Sequence, residues 1–171
     1  MEDKLKQITK LNRGGHKPDH TYCLMEAVAF VAGEEWSDSP ACTDPVLATF
    51  GRNLNDSMPD DQRQKLLTYI PKLIGTRSTR SLEIKRGYFF ADAAVRIFAP
   101  RVLRSANLVT HAEILEALDP VIDQPISIAA RVAAWAAAWA AWAAWAAAAD
   151  AAWDQALTIF DQAIELTEDV K

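Results

Sequence analysis

The chain has 171 residues, of which 50% are apolar and 24% are charged, a composition that suits a globular protein with a substantial core. The net charge of −5 argues against nucleic acid as a partner of the chain as a whole. Two cysteines, Cys23 and Cys42, are too few for a disulfide framework, and the charged start of the chain is unlike a secretory signal. We therefore expect a reduced, cytoplasmic protein.

Helix signals dominate residues 1–120. A mostly apolar run over residues 20–32 has Asp19 before it as an N-cap and Gly33 after it as a terminator. Asp44 and Pro45 begin a second helix, which is expected to reach about residue 53. Further helices are predicted over residues 59–75, with a kink at Pro71, and over residues 82–98, 100–106 and 110–118. No stretch alternates convincingly with period two, although residues 5–12 could form a short extended arm, so the sequence predicts an all-α globular domain.

Residues 121–171 are predicted to form one long Ala/Trp-rich helix that begins at Pro125. Residues 129–153 contain seventeen alanines, and no charged residue occurs between Val132 and Ala149. Apolar side chains recur at spacings of four and three, which is typical of a heptad seam. We expect this oligomerisation helix to pack in a bundle or coiled-coil-like homo-oligomer. The predicted interface residues of the seam are Val132, Trp135, Trp139, Trp142, Trp153, Leu157 and Phe160.

Two other interpretations of this helix are disfavoured. Its uncharged stretch is long enough to span a membrane. However, alanine contributes little transfer energy, the stretch contains no Leu, Ile or Phe, and no Lys/Arg cluster flanks it, which disfavours a span. Drift of an alanine-rich codon tract is the other alternative, but drift alone would not keep tryptophans on one stripe.

The charges are distributed unevenly along the chain. Residues 72–104, here named the basic segment, carry eight basic and two acidic side chains, whereas the remainder of the chain has a net charge of −11. The last helix bears an acidic stripe, formed by Asp150, Asp154, Asp161, Glu165 and Glu168. This separation indicates either docking of the basic segment on the acidic stripe, in the same or another subunit, or an anionic partner. A solvated acidic face is the alternative.

Residues that could bind a metal or act in catalysis are concentrated near the N-terminus. His16, His20, Cys23 and Cys42 are potential zinc ligands, but paired-cysteine spacing is absent, so buried thiols and a loop histidine are favoured over a metal site. Cys23 with His16 or His20 is also a candidate nucleophile pair, although no oxyanion loop is recognisable.

The Arg13-Gly14-Gly15-His16 turn and Glu26 are the candidates for a polar ligand site. The turn could offer backbone amides to an anion, but it lacks the Lys-Ser/Thr pair of a P-loop, so a plain turn is favoured. Glu26 lies in an apolar run, and a buried carboxylate needs a partner, for which Arg13 or Arg52 is expected. The pair would be a structural ion pair or one wall of a ligand site.

Several blocks of the sequence carry a family resemblance. These blocks are Leu11-Asn12-Arg13-Gly14-Gly15-His16, Cys23 to Glu34, Trp36-Ser37-Asp38-Ser39-Pro40 and Arg52-Asn53-Leu54-Asn55-Asp56. Over residues 11 to about 105, and in the Ala-rich composition of its C-terminal region, the chain resembles a family of small bacteriophage and actinobacterial proteins that often end in Ala-rich tracts. No activity is assigned to that family, so the resemblance implies a phage or prophage setting. A small non-enzymatic oligomer that sequesters a host signalling nucleotide is one class that fits this setting.

Three functional hypotheses follow from the sequence. The first is a non-enzymatic homo-oligomer without cofactors that binds an anionic small molecule, for example a nucleotide-like one. Its candidate binding residues are Arg13, His16, Glu26, Arg52, Arg77, Arg80, Lys85 and Arg86. The second is a protein–protein interaction or scaffold module in which the basic segment is already paired with acids. The third is a metal- or cysteine-dependent enzyme that uses the N-terminal histidines, Cys23 and Glu26.

Overall fold

The computed structural model describes residues 2–15, 21–122 and 149–167, with side chains from Trp153 onward in the last range. Every regular element in these ranges is helical, so the predicted all-α class is confirmed for the described part of the chain. No helix in the described ranges is long and apolar enough to cross a membrane. The α-helices are α1 Glu2–Leu5, α2 Leu24–Ala32, α3 Pro45–Ser57, α4 Asp60–Arg63, α5 Ile70–Leu73, α6 Arg80–Ala93, α7 Ala99–Ser105, α8 Val109–Glu116 and α9 Ala149–Glu165.

The chain divides into two compact units, and the predicted division into residues 1–120 and 121–171 stays a prediction. The first unit comprises Met1–Glu83 together with Phe160–Lys171, and the second comprises Ile84–Ile159. The first unit is therefore built from two stretches of chain that are far apart in sequence. Its core includes several fully buried large side chains: Leu11, Leu24, Met25, Leu47, Leu66, Ile70, Leu73 and Phe160.

Helix α2 begins later than predicted. Residues 21–23 are not helical, and Cys23 is the N-cap, because the Glu26 carboxylate reaches back and accepts the Cys23 amide at 2.7 Å. The predicted terminator is confirmed, since Gly33 has a left-handed φ of 81° and donates to carbonyls of the last turn. The nine-residue helix is buried on nearly every face.

Helix α3 begins as predicted and extends four residues further. The Asp44 carboxylate accepts from the amides of Val46 (2.9 Å) and Leu47 (3.2 Å), and Pro45 occupies the first turn. At the other end, the buried guanidinium of Arg63 donates to the carbonyls of Asn55 at 2.5 Å and Met58 at 2.7 Å and pairs with Asp60. Arg63 thus satisfies carbonyls that the end of a helix leaves without intrahelical partners.

Both internal prolines are accommodated by a change of helical winding. A 3₁₀ segment, Gln64–Tyr69, joins α4 to α5 just before Pro71, and a π segment, Ala94–Phe98, joins α6 to α7 just before Pro100. Proline has no amide hydrogen and clashes with the carbonyl of the preceding turn, so tighter or wider winding there relieves the conflict. The helices predicted separately over 82–98 and 100–106 are consequently one continuous helical stretch.

The second unit has a small core of its own. Val95, Leu103, Ala112, Leu115 and Val121 are buried together. The Asp92 carboxylate accepts the Val121 amide at 2.9 Å and pairs with Arg96 at 2.7 Å. Arg96 also donates to the Leu118 carbonyl at 3.1 Å. This pair fixes the turn after α8 against the α6–α7 stretch.

The described part of the predicted seam packs within a single chain. Trp153, Leu157 and Phe160 are all buried, and Phe160 is completely inaccessible to solvent. The predicted roles of Trp153, Leu157 and Phe160 at an oligomer interface stay predictions. The predicted interface residues Val132, Trp135, Trp139 and Trp142 lie outside the described residues.

Candidate functional site

A buried hydrogen-bond network in the first unit is centred on Asn55, in the last turn of α3. Its side-chain oxygen accepts from the Leu24 amide at 3.1 Å. Its side-chain nitrogen donates to the Asn12 carbonyl at 2.9 Å and to the Asp56 carboxylate at 3.0 Å. Asn55 is 1% exposed, so one buried amide joins α3, the start of α2 and the loop at residues 11–15.

The loop at residues 11–15 is held along most of its length. The Gln64 amide bonds both backbone groups of Leu11, at 2.8 and 3.1 Å, and the Asn12 amide donates to the Tyr22 carbonyl at 2.8 Å. The Gly14 amide, at a φ of 81°, donates to Asp56 at 2.9 Å. An amide already bound to a carboxylate is not available to an anion, so the Gly14 amide has a structural role. The anion-binding turn that includes His16, outside the described residues, stays a prediction.

The Glu26 carboxylate is buried, as the sequence predicts, but the arginine partners expected for it are placed elsewhere. One oxygen accepts from the Cys23 amide, and the other lies 3.8 Å from the position that a Cβ on Gly15 would take. Arg52 instead donates to the Asp38 carbonyl (2.7 Å) and to the Ser39 and Thr49 hydroxyls. Arg13 is exposed. One role of Glu26 is therefore to cap the start of α2.

Burial limits the reactivity of the two cysteines. Burial raises the pKa of Cys23 to about 12, and the nearby charge of Glu26 acts in the same direction. A thiol with that pKa is protonated near neutral pH, whereas nucleophilic catalysis and metal ligation use the thiolate. Burial also raises the pKa of Cys42, whose amide donates to the Glu34 carboxylate at 2.8 Å.

No metal centre is found in the described ranges, where no three His, Cys, Asp or Glu side chains are grouped to hold an ion. His16 and His20 lie outside the described residues, so their predicted roles beside Cys23 stay predictions.

The basic segment is largely paired within each unit. In the first unit, Lys72 pairs with Asp161 at 2.7 Å, and Arg77 and Arg80 share the Glu83 carboxylate at 3.9 and 3.0 Å. The second unit contains three further contacts: Arg96 with Asp92 (2.7 Å), Arg104 with Glu116 (2.6 Å) and Arg101 with the Gln155 side chain (2.9 Å).

The predicted ligand-binding residues of this segment are brought together only in part. Arg77 and Arg80 meet at one acid, with 55% and 82% of their side chains exposed. Arg86 is 3% exposed, so its guanidinium is not presented to solvent, and Lys85 is half-buried. One member of the acidic stripe docks on the basic segment, because Asp161 accepts from both Lys72 (2.7 Å) and the Tyr69 hydroxyl (2.8 Å). Burial, followed by the bond to Asp161, raises the pKa of Tyr69.

No sequence pattern points to two residues that are central to the polar contacts of the first unit. These residues are Asn55 and Arg63. Their partners lie up to 43 residues away, or in the irregular end of a helix, where no periodicity points to them.

Comparison with known proteins gives no further guide to function. No family model, no curated protein and no solved structure matches the chain.

Proposed function

We propose that this protein is a non-enzymatic, homo-oligomeric interaction module that works by binding other polypeptide chains. The observation that supports this proposal is the pairing of the basic segment. Where a cation already has an acid or amide partner, an incoming phosphate must displace it, and the net gain is small. The buried, protonated thiol of Cys23 supports the non-enzymatic part of the proposal.

The proposal is tested by two measurements on the same preparation. Light scattering at micromolar concentration gives the oligomeric state, for which we expect more than one chain per particle. Calorimetric titration with a panel of nucleotides is expected to give no heat of binding. A monomeric protein, or one that binds a nucleotide with micromolar affinity, would contradict the proposal.

Sequestration of an anionic, nucleotide-like molecule is the second candidate, and one observation favours it. Arg77 and Arg80 share a single carboxylate, so this pair keeps one positive charge in excess on an exposed surface. If this site binds phosphate groups, changing both arginines to glutamine abolishes nucleotide binding, whereas Arg104→Gln, at a one-to-one pair, leaves it unchanged. The phage–host setting implied by the family resemblance stays a prediction under both candidates.

A further inference from the structure

One side of α8 is exposed and bears a large aliphatic side chain. The helix buries only Ala112 and Leu115, which belong to the core of the second unit. The opposite side, here named the α8 face, consists of the exposed residues Thr110, Glu113, Ile114 and Ala117, the last being the C-cap. Ile114 is 56% exposed, and Val109 at the start of the helix is 45% exposed. The α8 face is therefore partly apolar and open to a partner.

Exposed aliphatic side chains are concentrated in this part of the chain. Four large hydrophobic side chains are exposed in the ranges that the structure describes, and three of them lie within residues 109–122: Val109, Ile114 and Ile122. Ile122 is 70% exposed although the backbone before it is held, because Val121 is buried and its amide is bonded to a carboxylate of α6. Single exposed aliphatic side chains are normal on a protein, whereas a group of them indicates an interaction surface.

The same surface is acidic. Residues 109–122 contain Glu113, Glu116 and Asp119 but no lysine or arginine. Glu116 is paired with Arg104 at 2.6 Å. Glu113 and Asp119 are exposed, and neither makes an ion pair in the described part of the chain. Two carboxylates without an ion-pair partner therefore accompany the exposed aliphatic side chains.

We propose that the α8 face is the docking surface for a basic amphipathic helix of a partner protein. A second helix covers an exposed helix face closely, because the side chains of one pack into the spaces between those of the other. Lysine or arginine residues beside the apolar stripe of that helix pair with Glu113 and Asp119. The inference rests on the polypeptide-binding part of the proposed function and names the surface that carries it.

The acidic charge distinguishes this partner from two others. A second copy that pairs through the same surface brings carboxylates against carboxylates, which disfavours a symmetric contact there. An anionic membrane surface is disfavoured for the same reason, since it attracts basic rather than acidic segments.

Binding of a synthetic peptide tests the proposal. The probe is a fluorescent leucine/lysine peptide of about four helical turns, and the comparison peptide has the same composition without helical periodicity. Fluorescence anisotropy should show tighter binding of the amphipathic peptide. Ile114→Ser should weaken that binding about tenfold or more, because it removes an aliphatic side chain from the contact. Ile84→Ser is the matched control, since Ile84 is 46% exposed on α6, away from the α8 face, and it should leave the affinity unchanged.

The charges are tested with the same peptide. The variant Glu113→Gln/Asp119→Asn should weaken binding and reduce its dependence on salt, because the ionic part of the contact is lost. A leucine/glutamate peptide of the same length should not bind, and binding of that peptide as tight as that of the leucine/lysine peptide would contradict the assigned chemistry of the partner.

The possible outcomes separate this inference from the proposed function. Equal affinity for the two leucine/lysine peptides, or an unchanged affinity in Ile114→Ser, overturns the inference and leaves the homo-oligomer standing. If Ile114→Ser instead dissociates a wild-type oligomer in light scattering, a second copy covers the α8 face, which also overturns it. A monomeric wild type that binds the amphipathic peptide through Ile114 supports the inference and contradicts only the homo-oligomer.

Discussion

Buried polar side chains in the first unit bind backbone groups at the ends of helices. Asp44 accepts amides at the start of α3, Arg63 donates to carbonyls at its end, and Glu26 accepts the amide that caps α2. Each of these side chains is almost inaccessible to solvent. If one partner of such a hydrogen bond is removed, the other stays buried and cannot bond to water instead. These residues explain the polarity of the site without requiring a ligand.

Substitution of Arg63 tests this structural role. Arg63→Met keeps the length of the side chain and removes the guanidinium, which leaves two helix-end carbonyls and Asp60 without their donors. We expect a loss of roughly 2–4 kcal/mol in the free energy of unfolding, measured by urea denaturation. Arg52→Met is the matched control, because its bonds lie at the surface, and a loss below about 1 kcal/mol is expected. Equal losses for the two variants would contradict the prediction.

The two thiols should differ in reactivity. The pKa of Cys23, about 12 compared with the usual 9.0, lowers its thiolate population near pH 8 by about a thousandfold, and burial blocks access to it. Alkylation of the native protein at pH 8 should therefore label the half-buried Cys42 first, while both cysteines react in urea. Peptide mass spectrometry measures the ratio. Rapid labelling of Cys23 in the native state would revive its role as a nucleophile.

At the scale of the element, two glycines in helical regions should respond to alanine with opposite signs. Gly33 ends α2 at a φ of 81°, where a Cβ is strained, so Gly33→Ala should destabilise the protein by about 1–2 kcal/mol. Gly87 lies inside α6 with open space around its Cα, so Gly87→Ala should stabilise the protein by about 0.5–1 kcal/mol. Thermal unfolding of both variants measures the difference, and shifts of the same sign would show that the backbone conformation does not decide the effect.

Local signals predicted the elements where the cause was itself local. The cap at Asp44-Pro45 and the terminator Gly33 act through neighbouring backbone groups, and both are confirmed. The start of α2 was predicted at residue 20, too early, because the capping side chain, Glu26, lies inside the helix. In the sequence it appears as a single polar residue in an apolar run, which does not indicate a cap. The π segment before Pro100 was missed because a proline usually indicates a helix boundary, and here the winding widens instead.

The candidate site was predicted less well than the fold, and for a physical reason. Asn55 meets Asn12 and Leu24 across 43 and 31 residues, a juxtaposition that only the packed core creates. The pairing of the basic segment was partly visible, since Arg80–Glu83 and Asp92–Arg96 are separated by three and four positions on a helix. The contacts of Lys72 with Asp161 and of Arg104 with Glu116 required the tertiary fold.

At the scale of the whole molecule, the stability of the first unit depends on a distant stretch of chain. Phe160→Ala removes a fully buried aromatic ring from a close-fitting pocket, so a loss of about 3–5 kcal/mol is expected on urea unfolding. Gln162→Ala, on the exposed side of the same helix, is the control and should change little. A loss below about 1 kcal/mol for Phe160→Ala would mean that the end of α9 does not stabilise the core of the first unit.

The tryptophan seam gives the corresponding prediction for assembly. Trp139→Asp combined with Trp142→Asp places two carboxylates on the predicted stripe, and such burial of charge is costly. Light scattering should show dissociation or unfolding. Trp145→Ala, off the stripe, should have less effect. A wild-type protein that is monomeric at micromolar concentration would show that the seam is satisfied within one chain.

The discontinuity of the first unit has a consequence for how the chain is made. On the ribosome, Phe50, Gly51 and Tyr69, which surround the Phe160 ring, emerge well before Phe160, because the 76 residues Ile84–Ile159 must be translated between them. At typical elongation rates this delay lasts roughly 4–15 s. During that interval Phe50 and Tyr69 face an unfilled cavity, and a nascent chain interrupted before residue 160 keeps it unfilled. Prematurely terminated products would thus carry an exposed aromatic pocket that chaperones and proteases can recognise.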